Sequence, residues 1–412
     1  MKILFIHQNF PGQFRHLAPA LAADRNNMVL AMTMQRLSIR SWQGVKLVPY
    51  AAQRTSSRDM HPWVRDIETK TIRGEACYRA ALALKKEGFV PDLVIAHPGW
   101  GESLFIKEVW PDAPLGIYCE YYYQSHGADV GFDPEFPDGG ADAACRLQLR
   151  NVNNLLHFQI TDAGLAPTLW QAATFPEPFR SKITVIHDGI DSDSIAPDDA
   201  VRVVIDQQRF SRNDELITFV NRNLEPYRGY HVFIRALPAL LRRRPAAHVV
   251  IVGGDKVSYG AAPPAGESWK QHFIDEVRPL IADHEWKRVH FLPHLPHDGF
   301  VKVLQLSTVH VYLTYPFVLS WSLLEAMSAG CAIVASDTAP VREVLTDHQN
   351  GVLTGFFDGT CLVDRVCALL DDQAERQRLG GNAREFVRNS IDLKRHALPR
   401  QLQWVASLLQ GD

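Results

Sequence analysis

The chain has 412 residues, 46% of them apolar and 22% charged, and its 43 Lys and Arg against 46 Asp and Glu leave a formal charge of -3. At roughly 100 to 200 residues per domain this length predicts two or three domains, and the ordinary composition argues against disorder and fibrous structure. The balanced charge also argues against a nucleic-acid partner, which a strongly basic face would indicate.

Apolar runs of strand length alternate with helix-length segments along the whole chain. The first series lies at 2–7, 28–33, 45–50, 92–97, 115–120 and 183–189. A second series follows at 216–221, 248–254, 289–294, 309–314 and 332–336. Continuous apolar runs are typical of parallel strands covered on both faces, so we predict an α/β protein with two Rossmann-like, doubly wound domains.

The two series of strands set the predicted domain boundaries. An N-terminal domain is expected at 1–195 and a C-terminal domain at 214–390, joined by a polar linker at 196–213. The last segment, 391–412, has a helical pattern and is expected to pack back across the domains. Ligands of open α/β sheets bind beyond the carboxyl ends of the strands, so the two domains are expected to face each other across a cleft.

Neither a secretion signal nor a membrane helix is expected. The N-terminal MKILFIHQNF has a short apolar run and no small-residue cleavage pattern. The charge-poor stretch 309–336 is interrupted by Pro316 and Gly330, which indicates a buried βαβ unit. No two of the six cysteines have C-x-x-C spacing, which predicts reduced thiols in a cytoplasmic protein with at most peripheral membrane contact.

Candidate site residues in the first domain follow predicted strands. Gly12 stands where a helix would begin, and its backbone would admit an anion or form a simple turn. No G-x-G-x-x-G follows, which argues against a dinucleotide-dependent dehydrogenase. His97 ends the fourth run, where a lone histidine is structural more often than catalytic. The polar stretch 120–143 predicts a solvated loop or, alternatively, a lid or acceptor-recognition loop, and its acids lack metal-ligand spacing.

A pair of arginines marks the second domain. Arg222 lies just past a strand, and Arg228 precedes Gly229 at the start of a helix. Two cations beside a helix N-terminus are suited to bind a diphosphate. By contrast, the arginines at 242–244 end that helix, where they complement its dipole, and are given no ligand.

Glu325 is an acid within an apolar βαβ unit, so its burial requires partners. One reading is a capping box, in which Glu325 bonds back to the amide of Ser322. The other reading is a carboxylate that accepts hydrogen bonds from sugar hydroxyls. The residues alone leave both open.

Several motifs together resemble family 4 glycosyltransferases, which are retaining enzymes of GT-B fold. The resemblance is strongest in R-x-x-E-P-x-R-G at 222–229, VIVGGD at 250–255, HFLPHLP at 290–296 and FVLSWSLLEAMSAGCAIVASD at 317–337. It extends to the N-terminal KILFIHQNFPGQFRHLAPAL and to VIHDGID at 185–191, and it is weaker over 50–180.

The resemblance implies roles for individual residues. Arg222 and Arg228 match the pair that binds the donor diphosphate, and Glu325 matches the second glutamate of an E-x7-E motif, which holds the ribose. Phe317 replaces the first glutamate, which in the family contacts the donor sugar. His97 matches a histidine near the reacting sugar.

The remaining donor contacts follow from the same comparison. The backbone amides of Val318, Leu319 and Ser320 are expected to line the sugar pocket, and His294 and Leu295 to lie at the nucleobase. Phe317 is then either an apolar wall against the donor sugar or a packing residue.

The function that the resemblance implies is hexosyl transfer with retention, independent of metal, from a nucleotide diphosphate sugar to a hydroxyl acceptor. The acceptor is a glycan, a lipid-linked saccharide or a small molecule, as in polysaccharide or glycoconjugate biosynthesis. No cofactor is implied, because the nucleotide sugar is a co-substrate. Two alternatives are a sugar-nucleotide 2-epimerase or other GT-B enzyme, and a non-catalytic subunit that binds a sugar nucleotide.

Overall fold

The computed structural model describes residues 1–35, 38–137 and 140–410. Contacts divide the chain into two compact units. The first unit comprises Met1–Ser125, Gly139–Gly189 and Lys394–Asp412, and the second comprises His126–Asp138 and Ile190–Leu393. Each unit contains one large sheet.

The strands and helices alternate as the apolar runs predict. The strands are β1 (Lys2–Ile6), β2 (Met28–Thr33), β3 (Ser41–Trp42), β4 (Val45–Pro49), β5 (Leu93–Ala96), β6 (Leu115–Tyr118), β7 (Ala163–Ala166), β8 (Ile183–Val185), β9 (Arg202–Ile205), β10 (Gln208–Ser211), β11 (Leu216–Asn223), β12 (His248–Gly254), β13 (Val289–Leu292), β14 (Val309–Tyr312), β15 (Ile333–Ser336) and β16 (Val352–Thr354). The helices are α1 (Leu17–Ala23), α2 (Arg65–Lys86), α3 (Ile106–Val109), α4 (Ala143–Ile160), α5 (Leu169–Thr174), α6 (Tyr230–Arg243), α7 (Trp269–Val277), α8 (Asp283–Trp286), α9 (His297–Leu306), α10 (Trp321–Ser328), α11 (Ala339–Arg342), α12 (Gly359–Asp371), α13 (Gln373–Ser390) and α14 (Leu398–Gln410).

The sheet of the first unit has the strand order β3-β4-β2-β1-β5-β6-β7-β8. Its neighbours pair in parallel, apart from β3, which is antiparallel to β4. Strand order reverses at β1, where Ile6 pairs with Met32 on one side and Ala96 on the other. Residues that follow β1 and β5 therefore meet at a topological switch point, where open α/β sheets bind ligands.

Both faces of this sheet are covered, which explains the continuous apolar runs. Leu4 is buried in one apolar cluster and Phe5 in the other, because successive side chains of a strand point to opposite faces. α14 contributes Trp404 to the second cluster. A Cβ on Gly116 would lie 2.6 Å from the Trp404 ring, so glycine at this position lets the helix approach β6.

The second unit is built on the parallel sheet β13-β12-β11-β14-β15-β16. Here β11 is the switch strand, since it pairs in parallel with both β12 and β14. The stretch 309–336 forms β14, α10 and β15, which confirms the βαβ prediction. In the described chain, no helix has the combination of length and apolar character that spanning a membrane requires.

The observed division differs from the predicted ranges. Most of the expected linker 196–213 is the antiparallel hairpin β9–β10, whose Ile205 and Phe210 are buried in the core of the second unit. Polar residues such as Asp206 and Arg209 outnumber the apolar residues of the hairpin's turn and second strand, so the segment has a polar composition there. Within 391–412, α14 packs in the first unit, whereas residues 126–138, from the predicted N-terminal domain, pack in the second.

Three further strands escape sequence-based prediction, and one of them, β3, has two residues. β7 has the sequence AGLA, and its alanine and glycine residues have low strand propensity. β16 has three residues. β7 lies between β6 and β8, and β16 pairs with β15 at the edge of its sheet, so tertiary context determines both.

Candidate functional site

The loop between β11 and α6 contains the buried carboxylate of Glu225 and the buried guanidinium of Arg228. Glu225, 1% exposed, accepts hydrogen bonds from the amides of Ser258 and Tyr259 at 2.8 and 3.0 Å. Burial raises the pKa of Glu225, and these two bonds oppose the rise. Glu225 thus fixes the shape of the loop that carries the predicted diphosphate ligands.

Arg228 is buried at the ends of β11 and β14. Its guanidinium donates to Thr314 Oγ1 at 2.8 Å and to the Val318 carbonyl at 3.0 Å, and it lies 5.3 Å from the centre of the Tyr259 ring. Arg222 is exposed at the end of β11. One predicted cation is therefore held in a defined orientation, whereas the other lies at the surface of the unit.

Gly229 begins α6 in the left-handed conformation, at φ +68°. A Cβ on this residue would lie 2.2 Å from Leu313 Cβ, so a larger side chain would displace the loop that follows β14. Glycine therefore permits the α6 N-terminus and that loop to meet.

Phe317 is 4% exposed and packs in a group of aromatic rings. It meets Tyr227 and Tyr259 edge-on, with ring centres 5.5 and 5.0 Å apart. Tyr227 in turn lies 4.6 Å from Tyr315. This burial supports the packing role of Phe317 more than the role of a wall against a sugar.

Glu325 contacts a residue that sequence analysis did not select. Its Oε1 lies 2.8 Å from His297 Nε2, the first residue of α9. The capping-box alternative was wrong, because α10 begins at Trp321 and its N-cap is Ser320, whose hydroxyl accepts from the Ser322 amide. Glu325 therefore lies beyond the first turn, too far along the helix for a capping box.

The other predicted donor contacts lie at the same edge of the sheet. His294 is exposed after β13, and Leu295 packs partly against the core. Val318 and Leu319 are buried before α10. The amide of Ser320 donates to the Tyr312 hydroxyl at 3.1 Å, so this group already has a protein partner.

In the first unit the switch point holds two histidines and a glutamate. His97 Nε2 lies 3.4 Å from Glu120 Oε2. His7 Nε2 lies 2.8 Å from Gln13 Oε1, and Gln13 Nε2 donates to Glu120 Oε1 at 3.2 Å. We call His7, Gln13, His97 and Glu120 the histidine cluster.

Backbone amides set the tautomers of both histidines. Asn9 N–H donates to His7 Nδ1 at 3.0 Å, and Gly99 N–H donates to His97 Nδ1 at 3.2 Å. Each neutral ring must then carry its hydrogen on Nε2, which points toward Gln13 in one case and Glu120 in the other. Gln13 therefore links His7 to the Glu120 carboxylate, and Nε2 of His97 faces the same carboxylate.

The electrostatics agree with this arrangement. Burial lowers the pKa of His7 to about 3, and the adjacent His97 adds to the effect. Burial opposes ionisation of Glu120, but the neighbouring His97, His7 and Gln13 hold its pKa below the ordinary value. The cluster thus contains a neutral imidazole at His7 and an ionised carboxylate.

Close packing holds the His97 ring in place. It stacks on Trp100 and Tyr118, with ring centres 4.5 and 5.4 Å away. Gly12 lies in the 3-10 turn Gly12–Phe14 at φ +47°, and a Cβ there would be 2.2 Å from the His7 ring. Gly12 therefore accommodates His7, a packing reason for glycine that differs from the anion-binding reading.

Part of the polar stretch 120–143 is bonded to the second unit. Asp133 Oδ2 lies 3.0 Å from His231 Nε2, and Glu135 forms two hydrogen bonds with Arg235. Asp133, Glu135 and His231 have potential metal-ligand atoms within 4.8 Å of one another. The prediction that these acids lack ligand spacing missed His231, which lies far away in sequence, although protein groups already bond the three side chains.

The structure therefore collects the predicted residues into two groups, one in each unit. Sequence analysis missed His7, Gln13 and Glu120 around His97, and His297 beside Glu325. A signal was present, since His7 and Glu120 end apolar runs just as His97 does. It could not be read without the strand order, which places β1, β5 and β6 side by side.

Two family models match the chain over adjacent ranges. "Glycosyl transferase family 4 group" matches residues 25–195, and "Glycosyl transferases group 1" matches residues 202–386. The second range includes β9 and β10, in agreement with the packing of that hairpin in the second unit.

Curated relatives have related names. The chain is 25% identical over 425 residues to a glycogen synthase from Mycobacterium tuberculosis, covering 95% of this chain and 91% of that protein. It is 29% identical over 177 residues to a D-inositol 3-phosphate glycosyltransferase from Corynebacterium diphtheriae, covering 42% of this chain and 39% of that protein.

Solved structures resemble it along nearly its whole length. Sucrose-phosphate synthase from Thermosynechococcus elongatus superposes with a TM-score of 0.74 at 16% identity, covering 100% of both chains. HepE from Anabaena, solved in complex with UDP-glucose, superposes with a TM-score of 0.68 at 15% identity, covering 99% of this chain and 100% of that one. At these identities the likeness concerns the fold.

Proposed function

Because the chain is a glycosyltransferase with the GT-B fold, we propose that it transfers a hexose from a nucleoside diphosphate to a hydroxyl acceptor with retention of configuration. The observation that carries this proposal is the placement of Arg228. A buried guanidinium beside the N-terminus of α6, at the switch strand of the second sheet, is suited to stabilise the charge of a departing diphosphate.

In the proposed reaction the bond between the anomeric carbon and the β-phosphate oxygen breaks as oxocarbenium character develops. The acceptor oxygen forms its bond to the anomeric carbon on the same face, and the acceptor proton passes to the departing phosphate. Arg228 and Arg222 neutralise the charge that grows on the phosphates. Arg228 is already oriented by Thr314 and Val318, so little reorganisation accompanies the reaction.

Glu325 is proposed to bind the ribose, since a carboxylate can accept hydrogen bonds from two vicinal hydroxyls. Its contact with His297 orients the carboxylate before the nucleotide binds. His294 and Leu295 remain the proposed nucleobase contacts, and the amides of Val318 and Leu319 the proposed sugar contacts.

In the first unit, His97 is the residue proposed to lie near the reacting sugar. Trp100 and Tyr118 hold its ring, and Glu120 Oε2 lies 3.4 Å from its Nε2. Such a ring can donate to a sugar hydroxyl if the substrate replaces part of the contact with Glu120. We propose a binding and electrostatic role, since the acceptor proton has a route to the phosphate.

The reaction is proposed to need no metal, because protein cations serve the diphosphate. Metal-free enzyme is prepared by exhaustive chelation and assayed with UDP-, ADP- and GDP-linked hexoses. UDP-glucose is tested first, because the structural neighbour HepE was solved in complex with it. Slow donor hydrolysis or transfer with a retained anomeric configuration, read by proton NMR, is the expected result. Activity that returns only with a divalent ion would overturn metal independence and direct attention to Asp133, Glu135 and His231.

The histidine cluster specifically favours a second candidate, a sugar-nucleotide 2-epimerase. That reaction needs several acid and base groups around one sugar, and the structure adds His7 and Glu120 to His97. The same NMR assay, run without acceptor, separates the two. Conversion of the nucleotide sugar into its C2 epimer would establish the epimerase, whereas release of free sugar would support the transferase.

A further inference from the structure

Residues 126–137 join the second unit although they lie between two elements of the first, β6 and α4. We call this segment the strap. Two phenylalanines anchor it: Phe132 lies 5.1 Å from the ring of Tyr315, and Phe136 lies 5.2 Å from the rings of His231 and Trp269. The strap is therefore packed against the second unit at two points.

Two buried aspartates of the strap bind tyrosine hydroxyls. Tyr227 donates to Asp129 Oδ2 at 2.9 Å, and Tyr315 donates to Asp133 Oδ2 at 2.6 Å. Both aspartates are 2% exposed. A buried carboxylate is costly without partners, and hydrogen bonds to it are stronger than bonds between neutral groups, so these contacts are well suited to hold the rings in position.

The two tyrosines belong to the two loops that form the proposed diphosphate site. Tyr227 immediately precedes Arg228, and Tyr315 lies three residues before Val318, whose carbonyl accepts from Arg228. The Tyr315 amide also donates to the Tyr227 carbonyl at 3.0 Å. The strap thus holds both loops by side chains next to the residues that orient Arg228.

Asp133 extends the contact to α6. Its Oδ2 lies 3.0 Å from His231 Nε2, in the first turn of the helix that begins beside Arg228. Burial opposes ionisation of Asp133, but the hydrogen bonds from His231 and Tyr315 hold its pKa below the ordinary value. One carboxylate therefore links the β14–α10 loop to the N-terminal turn of α6.

We infer that Asp129 and Asp133 are positioning residues for donor binding. Through Tyr227 and Tyr315 they hold the two loops in the arrangement that the donor diphosphate requires. This inference rests on the proposed function, in which Arg228 binds the diphosphate. It assigns specific roles to acids of the stretch 120–143, for which the sequence left a solvated loop and a lid or acceptor-recognition loop as alternatives.

The experiment uses conservative variants of the full chain. Tyr227→Phe removes the first contact, and Asp129→Asn removes the charge of its acceptor. Tyr315→Phe removes the second contact while keeping the ring. Calorimetric Kd values for UDP, ADP and GDP, together with donor KM, kcat and melting temperature, are measured for each. Glu135→Gln is the matched control, because it weakens the contact of the strap with Arg235 but touches neither tyrosine.

Each tyrosine or aspartate variant is expected to raise the Kd of the bound nucleotide roughly 5- to 20-fold, the scale of one lost hydrogen bond to a charged group. The combined Tyr227→Phe and Asp129→Asn variant should weaken binding less than the product of the two single effects, since both changes act on one hydrogen bond. Glu135→Gln should stay within about twofold of wild type.

Failure of the inference and failure of the proposed function have different signatures. If wild type binds none of the three nucleotides, the proposed function fails. If wild type binds and Arg228→Ala does not, but Tyr227→Phe and Asp129→Asn keep the wild-type Kd, the positioning role is wrong. Equal weakening in Glu135→Gln would also overturn it, because the strap would then act only through general stability.

Discussion

The histidine cluster of the first unit and residues 222–229 of the second unit, which we call the arginine loop, hold charge in different ways. In the cluster, the Gln13 amide donates to the Glu120 carboxylate, His97 Nε2 lies 3.4 Å from it, and close-packed rings surround His97. In the loop, Arg228 carries an obligatory positive charge and is oriented by a hydroxyl and a carbonyl, neither of which neutralises it. The loop also contains the buried carboxylate of Glu225, so the two sites differ in the group that their hydrogen bonds orient: a guanidinium in the loop and a carboxylate in the cluster.

The largest effect is expected at Arg228. Arg228→Ala should lower kcat/KM by roughly 10²- to 10³-fold, because one preorganised donor to the developing charge is lost. Arg222→Ala should follow in the same direction with a smaller loss, since that side chain is exposed and less restrained. Steady-state kinetics on a nucleotide-sugar donor measure both.

Arg242→Ala is the control for these variants, because Arg242 is exposed at the far end of α6. Its kinetics should match wild type. Melting temperatures separate loss of the buried Arg228 contacts from loss of catalysis, and wild-type kinetics in both Arg228→Ala and Arg222→Ala would remove the arginine loop from the mechanism.

A second, smaller effect is expected in the histidine cluster. Glu120→Gln removes the acceptor charge that faces His97 and Gln13, so kcat should fall roughly 10- to 100-fold, less than the loss expected for a group that itself transfers a proton. Nucleoside diphosphate affinity should be unchanged, because the proposed nucleotide contacts lie in the other unit. A matched loss of nucleotide affinity would contradict this separation of roles.

The third prediction concerns Glu325. Glu325→Ala should raise the Kd of the nucleoside diphosphate about 10-fold through loss of a ribose acceptor. His297→Ala, which removes only the partner at 2.8 Å, should have a smaller effect of the same sign. Calorimetry on both variants tests this, and an unchanged Kd in Glu325→Ala would make the residue purely structural.

The last prediction concerns stability and involves Glu102, a buried residue of the first unit. Burial raises the pKa of Glu102 from 4.5 to about 7. Neither carboxylate oxygen has a hydrogen-bond partner in another described residue. Since the folded state prefers the protonated form, wild type should lose stability as pH rises from about 4.5 to about 7, with little further loss above.

Glu102→Gln removes this titration. The free energy of unfolding of the variant relative to wild type should therefore increase between pH 5 and pH 8, by at most about 3 kcal/mol for a shift of this size. Denaturant unfolding at several pH values measures the difference. Glu108→Gln, an exposed site on α3, is the control and should give a flat difference; a flat difference for Glu102→Gln as well would contradict the buried-carboxylate assignment.

The amino-acid sequence by itself determined the alternation of strands and helices, the α/β class and the arginine loop. These features rest on local patterns: apolar runs of strand length, and cations next to a helix start. The motif at 222–229 could be read because its residues are close neighbours in the chain.

Only the tertiary structure decided which of these residues meet. His7, His97 and Glu120 come from three runs separated by dozens of residues, and the strand order β1-β5-β6 places their ends together. The partner of Glu325 lies on another helix, and the strap packs in a unit other than the one that flanks it in sequence. Such contacts depend on strand order and long-range packing, which local periodicity does not encode.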